Sequence, residues 1–561
     1  MSLASPSQSA GPASPVINEI GTESSWDSLE YLVDKDSEIP VLTPKSSSSQ
    51  QPYTFLHWVR MSSLRCHDNA AFTAAMKNPG TRFRAVFIYD PWFESGQKFG
   101  LNRWRFLIES LQDLDQSLQA YGTRLYVAKG QPLAVLEKLC SNWNVSSITY
   151  QVDKDVNSHL LEESVDALGK ELNISVSKFE GHTLYDTKML LVSHPSLLTF
   201  KDFKQILHSI GAPARPTEAP QIPEDTMATY GDDLSLPQEY RIPLLEEVGF
   251  SSQESLRTNN LWVGGESVAL QRIPEYVSKR MTQSSVFNAE TLLDKSSLSP
   301  YIRFGCLSVR YFFWTIKDLV ADDEKMEEFW KKFASGILSR EFFFTVASQV
   351  PNFDCYSNNK VCLQLPWDKD VELFEVWRNG KTGFPWIDAA MRQLWKEGWI
   401  HHVLRESVAT FLTRGDMWIS WEYGKKVFWE LLLDFETSVS SGCWMKSSGS
   451  AFLSGPVEYY CPVTYGIKID PTGEYIRTYV PELRNFPADY IYCPWMAPVS
   501  EQEKAGCRIG TDYPNPIIDH ATTGAICSER LRSVMALIHN VNKSEKSSLV
   551  PPQLVLPITS Q

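Results

Sequence analysis

The sequence predicts an α/β domain with a Rossmann-like parallel sheet, followed by a larger all-α domain. Three observations predict it. Between about 53 and 180, short apolar β-rich runs alternate with helix-length patterns, the arrangement of βαβ units. Between 181 and 260, Pro195, Pro213, Pro216, Pro220, Pro223, Pro237 and Pro243 mark a connector. From 261 to 535 the periodicity is helical and strand patterns are few.

Residues 1–52 are Ser- and Pro-rich and carry seven acids against two lysines, so they read as a disordered acidic arm. In the first domain, 53–180, YTFLHWV (53–59), FRAVFIY (83–89), TRLYVA (123–128) and SSITYQ (146–151) read as strands. Helices are expected near 103–121, 132–141 and 158–171. No G-x-G-x-x-G follows the first strand, so this domain does not announce a dinucleotide site. After the connector, 181–260, and the helical domain, 261–535, residues 536–561 with Pro551, Pro552 and Pro557 read as a C-terminal tail.

The 561 residues hold 53 Lys and Arg against 67 Asp and Glu, a formal charge of −14, of which −5 lies in the arm and −9 on the rest. Phosphate contacts need a surplus of cations, so DNA binding is expected to be weak or absent. Hydrophobic residues at 43% and charged residues at 21% are ordinary globular usage. No run of 18 apolar residues is present to span a bilayer, and no apolar leader precedes the first basic residue, Lys35. The ten cysteines are scattered without a C-x-x-C pair, which argues against a structural metal or a disulfide framework. A nuclear and cytoplasmic location fits that usage.

The unusual feature is aromatic. Nine of the 18 tryptophans (Trp367, Trp377, Trp386, Trp395, Trp399, Trp418, Trp421, Trp429 and Trp444) fall between 367 and 444. Alone, this fits a dense core better than a cofactor site, because indoles dominate core energetics wherever they occur. Within TGFPWIDAAMRQLWKEGWIHHVLRESVATFLTRGDMWISWEYG (382–424), Trp395, Trp399, His402 and Glu406 recur at helical steps, with Arg405 beside them, so one continuous helix would place them on one face. Trp418 and Trp421 are expected to share a face in the same way. LLLDFETSVSSGCW (431–444) reads as a helix ending in Asp434 and Glu436 before a Ser- and Gly-rich loop. A carboxylate there can accept a ligand N–H, pair with Arg405, or simply cap the turn. In SSLSPYIRFG (296–305), Ser296, Ser297, Leu298 and Ser299 precede Pro300 at a helix start, a phosphate-binding arrangement that also suits a plain N-cap.

Together these pieces, in this order, resemble the photolyase/cryptochrome family over about 53–535. LRCHDNAAF (64–72), GLNRWRFLIESLQDLD (100–115), LWVGGESVAL (261–270), RFGCLSVRYFFW (303–314), DPTGEYIRTYVPEL (470–483) and YPNPIIDH (513–520) extend the likeness. The resemblance implies that fold and an FAD-binding helical domain, with a second, antenna chromophore left unidentified. It implies Ser296, Ser297, Leu298 and Ser299 at the FAD phosphates, His402 lining the flavin pocket, Arg405 and Asp434 as an ion pair beside the isoalloxazine ring, and Glu436 close by. Ser440 matches the position opposite flavin N5. Trp444, Trp421 and Trp367 match the three-step electron chain, and Trp418 the fourth member found in animal proteins; the other five clustered tryptophans stay core.

Departures bear on function. The family's Asp-x-Asp-Trp is Asp434, Phe435, Glu436 and Thr437 here, its Trp-Met-Trp is Trp444, Met445 and Lys446, and its Gln and Trp before Arg-Glu fall at Gly336 and Ser339. The second histidine of the (6-4) DNA photolyases is Glu406. An ionised glutamate there repels DNA phosphates, which favours a blue-light photoreceptor resembling the animal, insect-type cryptochromes over a repair enzyme. Such a receptor would signal to circadian or other light-response proteins, with a homo-oligomer left open. The alternatives are a (6-4) DNA photolyase, supported by GDMWISWEYG (415–424) and IRTYVPEL (476–483), and a light-independent clock transcriptional repressor.

Overall fold

The computed structural model describes residues 53–544 apart from 78–81, 92–98, 157, 194–198, 222–235, 252, 254–260, 283–287, 321–325 and 454–459. The acidic arm, the end of the tail and parts of the connector therefore lie outside the described residues.

Five strands, β1 (Thr54–Val59), β2 (Arg82–Tyr89), β3 (Leu125–Lys129), β4 (Val145–Gln151) and β5 (Ser175–Phe179), form one sheet in the order β3-β2-β1-β4-β5, with every pair parallel. All six residues of β1 are buried, as a central strand covered on both faces requires. Helices α1 (Ala70–Met76), α2 (Leu101–Ala120), α3 (Pro132–Asn142) and α4 (Ser158–Glu171) supply the cover.

The segment expected to be only a connector carries two helices, α5 (Thr187–Ser193) and α6 (Phe200–Ile210). In α6, Phe203, Ile206 and Leu207 recur at helical spacing and are buried, and Thr199 caps the start through the N–H of Asp202. The helical part continues through α7 (Glu266–Thr282), α8 (Ala289–Leu293), α9 (Ser299–Arg303), α10 (Val309–Val320), α11 (Glu327–Ala347), α12 (Val371–Arg378) and α13 (Pro385–Glu397). It ends with α14 (His402–Thr410), α15 (Trp421–Leu431), α16 (Thr437–Ser447), α17 (Pro462–Ile469), α18 (Glu474–Tyr479), α19 (Val499–Ala505) and α20 (His520–Ser544). The last helix runs past the boundary expected at 535.

Three local expectations fail for identifiable reasons. Gly398 closes α13 in the left-handed conformation (φ 72°), so no single helix carries Trp395 to Glu406. Trp418 sits between helices at φ 52° rather than sharing a helical face with Trp421. The Ser- and Gly-rich stretch after Glu436 is α16, with Glu436 as its N-cap residue.

Two glycines seat α16. A Cβ on Gly442 would fall on Phe343 of α11, 2.8 Å from its Cγ, and one on Gly424 of α15 would fall 2.7 Å from Cζ2 and Cζ3 of Trp444. The two parts of the chain clasp through polar contacts: Glu266 accepts the N–H groups of Cys66 and His67 at 2.8 and 2.9 Å, and Arg310 holds Asp68 at 3.1 and 2.9 Å.

Candidate functional site

The start of α9, the loop between α13 and α14, and residues 432–436 converge on Asp434. Its Oδ2 accepts from Ser299 Oγ (2.5 Å), Arg405 Nη2 (2.9 Å) and Trp399 Nε1 (3.2 Å). Arg405 is steadied by its Nε–H to the Ile400 carbonyl (2.8 Å), and Ser297 Oγ lies 3.0 Å from Ser299 Oγ. Ser296 faces elsewhere: its hydroxyl and N–H both bind Asp294. Leu298 is buried and is the N-cap residue of α9. Ser440 lies half-buried in α16, its N–H bonded to the Glu436 carbonyl.

Asp434 Oδ1 is buried with no hydrogen-bond partner among the described residues. A buried carboxylate oxygen left unpaired costs at least about 1–3 kcal/mol, so this atom calls for an outside donor. His402 and Cys443 are solvent-accessible. Burial, with Arg405, Arg280 and Lys446 adding to it, pushes His402 down to about 4, so its ring is neutral at pH 7. The His401 ring lies 4.1 Å away and is likewise held low by burial.

Glu436 behaves differently from Asp434. Both its oxygens are engaged, by Arg340 Nη2 (2.6 Å) and Nε (2.7 Å) and by His182 Nε2 (2.9 Å). Burial pushes its carboxyl up, and Arg340 and His182 together outweigh that and hold it well below the usual range. Glu341, beside Arg340, is pushed up to about 7 by burial. His182 comes from the segment read as a connector, and no local pattern marks it. Trp399 was legible in the tryptophan cluster and in the expected face with His402, but not as a partner of Asp434. At Gly336 a Cβ would meet nothing within 4 Å, so that departure leaves open space.

The structure brings Trp367 and Trp418 into ring contact, with centroids 5.0 Å apart and planes at 49°. Trp418 is held in its left-handed conformation by its N–H to Thr413, its carbonyl from Asp368 and its Nε1–H to Pro366, each 2.8 Å. Trp418 is buried and Trp367 only partly so, which makes Trp367 the member nearer solvent. Cys527 and Leu531 of α20 pack on Trp418, and Arg530 lies 5.6 Å over its ring. Trp421 and Trp444 are buried; Trp444 meets Phe428 at 5.0 Å and Trp377 at 6.5 Å.

Residues 55–223 match the sequence pattern of DNA photolyase, and 333–533 that of the FAD binding domain of DNA photolyase. Cryptochrome-2 of Gallus gallus is 41% identical over 488 residues, covering 85% of this chain and 83% of that one. The chain belongs to the photolyase/cryptochrome family. Cryptochrome-1 of Mus musculus is 40% identical over 495 residues, covering 85% and 80%. Among solved structures, the class III photolyase of Agrobacterium tumefaciens superposes with a TM-score of 0.73 at 25% identity, covering 88% of this chain and 99% of that one. A cryptochrome of Synechocystis superposes at 0.70 and 27%, covering 87% and 100%. The family's FAD fits the site: paired hydroxyls at α9, a carboxylate oxygen awaiting a donor such as a ring N–H, and Arg405 beside it. The chain is a cryptochrome-like flavoprotein. Among the described residues, no helix is long and apolar enough to cross a membrane.

Proposed function

We propose that the protein is an insect-type blue-light photoreceptor in which the tryptophans reduce photoexcited FAD. FAD, when bound, supplies the absorption of blue light and an oxidising excited state. The observation that carries the reading is the pair Trp367–Trp418, two indoles with centroids 5.0 Å apart of which Trp367 is partly exposed, while Trp418, Trp421 and Trp444 are buried. With FAD bound, Ser297 and Ser299 would hold its phosphates, Arg405 and Asp434 would orient the ring, and Ser440 would govern proton access to it. Indole gives up an electron more readily than most side chains, so a positive hole moves outward from Trp444 through Trp421 to Trp367 and Trp418. The altered charge beside His402 and Arg405 then shifts a segment read by signalling or clock proteins in the nucleus and cytoplasm.

Illumination of the purified flavoprotein tests this. Blue light bleaches the oxidised-flavin band, and Trp367→Phe slows the bleaching. A protein that purifies without flavin and does not take it up supports the light-independent clock repressor instead. Photoreversal of a lesion in an oligonucleotide supports the (6-4) DNA photolyase, which solvent-exposed Glu406, one turn from His402, disfavours by repelling phosphates.

A further inference from the structure

Helix α15 opens with Trp421 and carries Lys425 one turn later, and that side chain reaches back along the helix so that its Nζ lies 5.3 Å from the centre of the Trp421 ring. The indole is buried and the Lys425 side chain is only 14% exposed. The ammonium donates to the Asp354 carbonyl oxygen, and the Asp354 carboxylate stands 3.9 Å away. Burial pulls the lysine pKa down, and Asp354 opposes that. Glu422, the carboxylate at this end of α15, is turned to the Tyr356 N–H at 3.0 Å. A cation placed against a ring shielded from water raises the energy of a positive charge on that ring.

The other three indoles differ. Among the described residues, no cation lies over the ring of Trp367 or Trp444. Arg530, 5.6 Å over Trp418, is 43% exposed and bonded to Asp368 at 2.6 Å, so solvent and the carboxylate both weaken its effect. Trp367 is partly exposed, yet its N–H is buried with no acceptor among the described residues, so a charge on that ring keeps its proton. Trp421 is therefore the hardest of the four to oxidise.

We propose that Lys425 makes the tryptophan relay one-way. The direction of the relay rests on the photoreduction reading above. Oxidised Trp444 takes an electron from Trp421, and Trp421 takes one from Trp367. Each step moves one electron, breaks no bond and moves no proton; Trp444 and Trp421 end as neutral indoles, with the positive charge on Trp367. The Lys425 cation lifts the middle state, so the second step runs downhill and its reverse must climb. Charge that has reached Trp367 returns slowly.

Transient absorption of the full-length flavoprotein after a blue flash reads the lifetime of the tryptophan radical cation. Lys425→Met shortens it about five- to thirtyfold, the effect of removing a desolvated cation from beside a ring, and Lys425→Arg keeps the wild-type value. In Trp367→Phe, where the hole stops at Trp421, Lys425→Met lengthens the lifetime instead. Disturbed packing would move both backgrounds the same way, so opposite signs separate charge from packing. A measurement in the dark needs no photoreduction: azide radicals made by radiolysis oxidise the tryptophans, and peptide mapping by mass spectrometry gives the oxidation of Trp421 relative to Trp367, which rises about five- to thirtyfold in Lys425→Met. A wild type that forms no tryptophan radical under blue light refutes the photoreduction reading, and the dark ratio then decides whether Lys425 governs where a hole rests. An unchanged dark ratio, or lifetime changes of one sign in both backgrounds, overturns the proposal.

Discussion

Replacing Gly424 with alanine separates the packing of the tryptophan run from its chemistry. The new Cβ would lie 2.7 Å from Trp444 Cζ2 and Cζ3 and closer still to Cη2, where ordinary contact begins near 3.4 Å. The indole must retreat by at least ~0.7 Å, against Phe428 at 5.0 Å and Trp377 at 6.5 Å. Overpacking of a filled core costs about 1–3 kcal/mol, and alanine in place of glycine in a helix returns about 1 kcal/mol, so the net loss is about 0–2 kcal/mol. Thermal or urea unfolding reads the loss, with Gly336→Ala as a control that meets open space and gains about 0.5–1 kcal/mol. Because the proposed relay places Trp444 innermost, Gly424→Ala should also change the rate at which blue light bleaches the flavin band. A variant as stable as the control that bleaches at the wild-type rate would refute both the seating of Trp444 against α15 and its place in the relay.

Arg340→Met leaves the Glu436 carboxylate buried beside Glu341 and costs about 3–5 kcal/mol in urea unfolding, a large part of which Arg340→Met combined with Glu436→Leu recovers. Arg530→Gln removes a cation 5.6 Å from the Trp418 ring and so eases a positive charge onto that indole; transient absorption then shows a longer-lived charge separation, by at most the effect of ~1 kcal/mol for so exposed a group. The neutral His402 sets a pH dependence: the unfolded imidazole takes a proton near 6.5 and the folded one only near 4, so stability falls as pH falls between those values. His57, held near 3 by burial, adds to the same slope, so His402→Gln should flatten the melting temperature against pH only in part.

The fold was legible where burial wrote a pattern into neighbouring residues. β1 and the second half of β2 are largely apolar, and β4 is wholly buried, because both faces of the central sheet are covered. β5, Ser175–Phe179, escaped because it is an edge strand with no fully buried residue, carrying two serines and a lysine where a central strand would be apolar. The helix α6 was obscured by the prolines around it, although its apolar spacing was present. The break at Gly398 hid behind a periodicity that continues across it, since Trp395, Trp399 and His402 keep helical spacing while the chain between them turns.

The site shows a different limit. Asp434 and Glu436 look equivalent in sequence, two carboxylates one residue apart, yet their partners separate them. Glu436 is tied by residues 96 and 254 positions away, Arg340 and His182, and no local pattern could reveal that pairing. Asp434 keeps one oxygen without a partner among the described residues and so is the carboxylate left to answer a ligand. Arg405 pairs with it, and Arg405, Arg280 and Lys446 add to the burial that keeps the nearby His402 neutral. A wall with one partly satisfied carboxylate and several cations favours added negative charge, which is what reduction of a bound ring would bring. Lys446, the smallest of these contributions to His402, stands where the resemblance places a tryptophan. The departure that weakens the family motif therefore adds to the electrostatics a light-driven reduction would use.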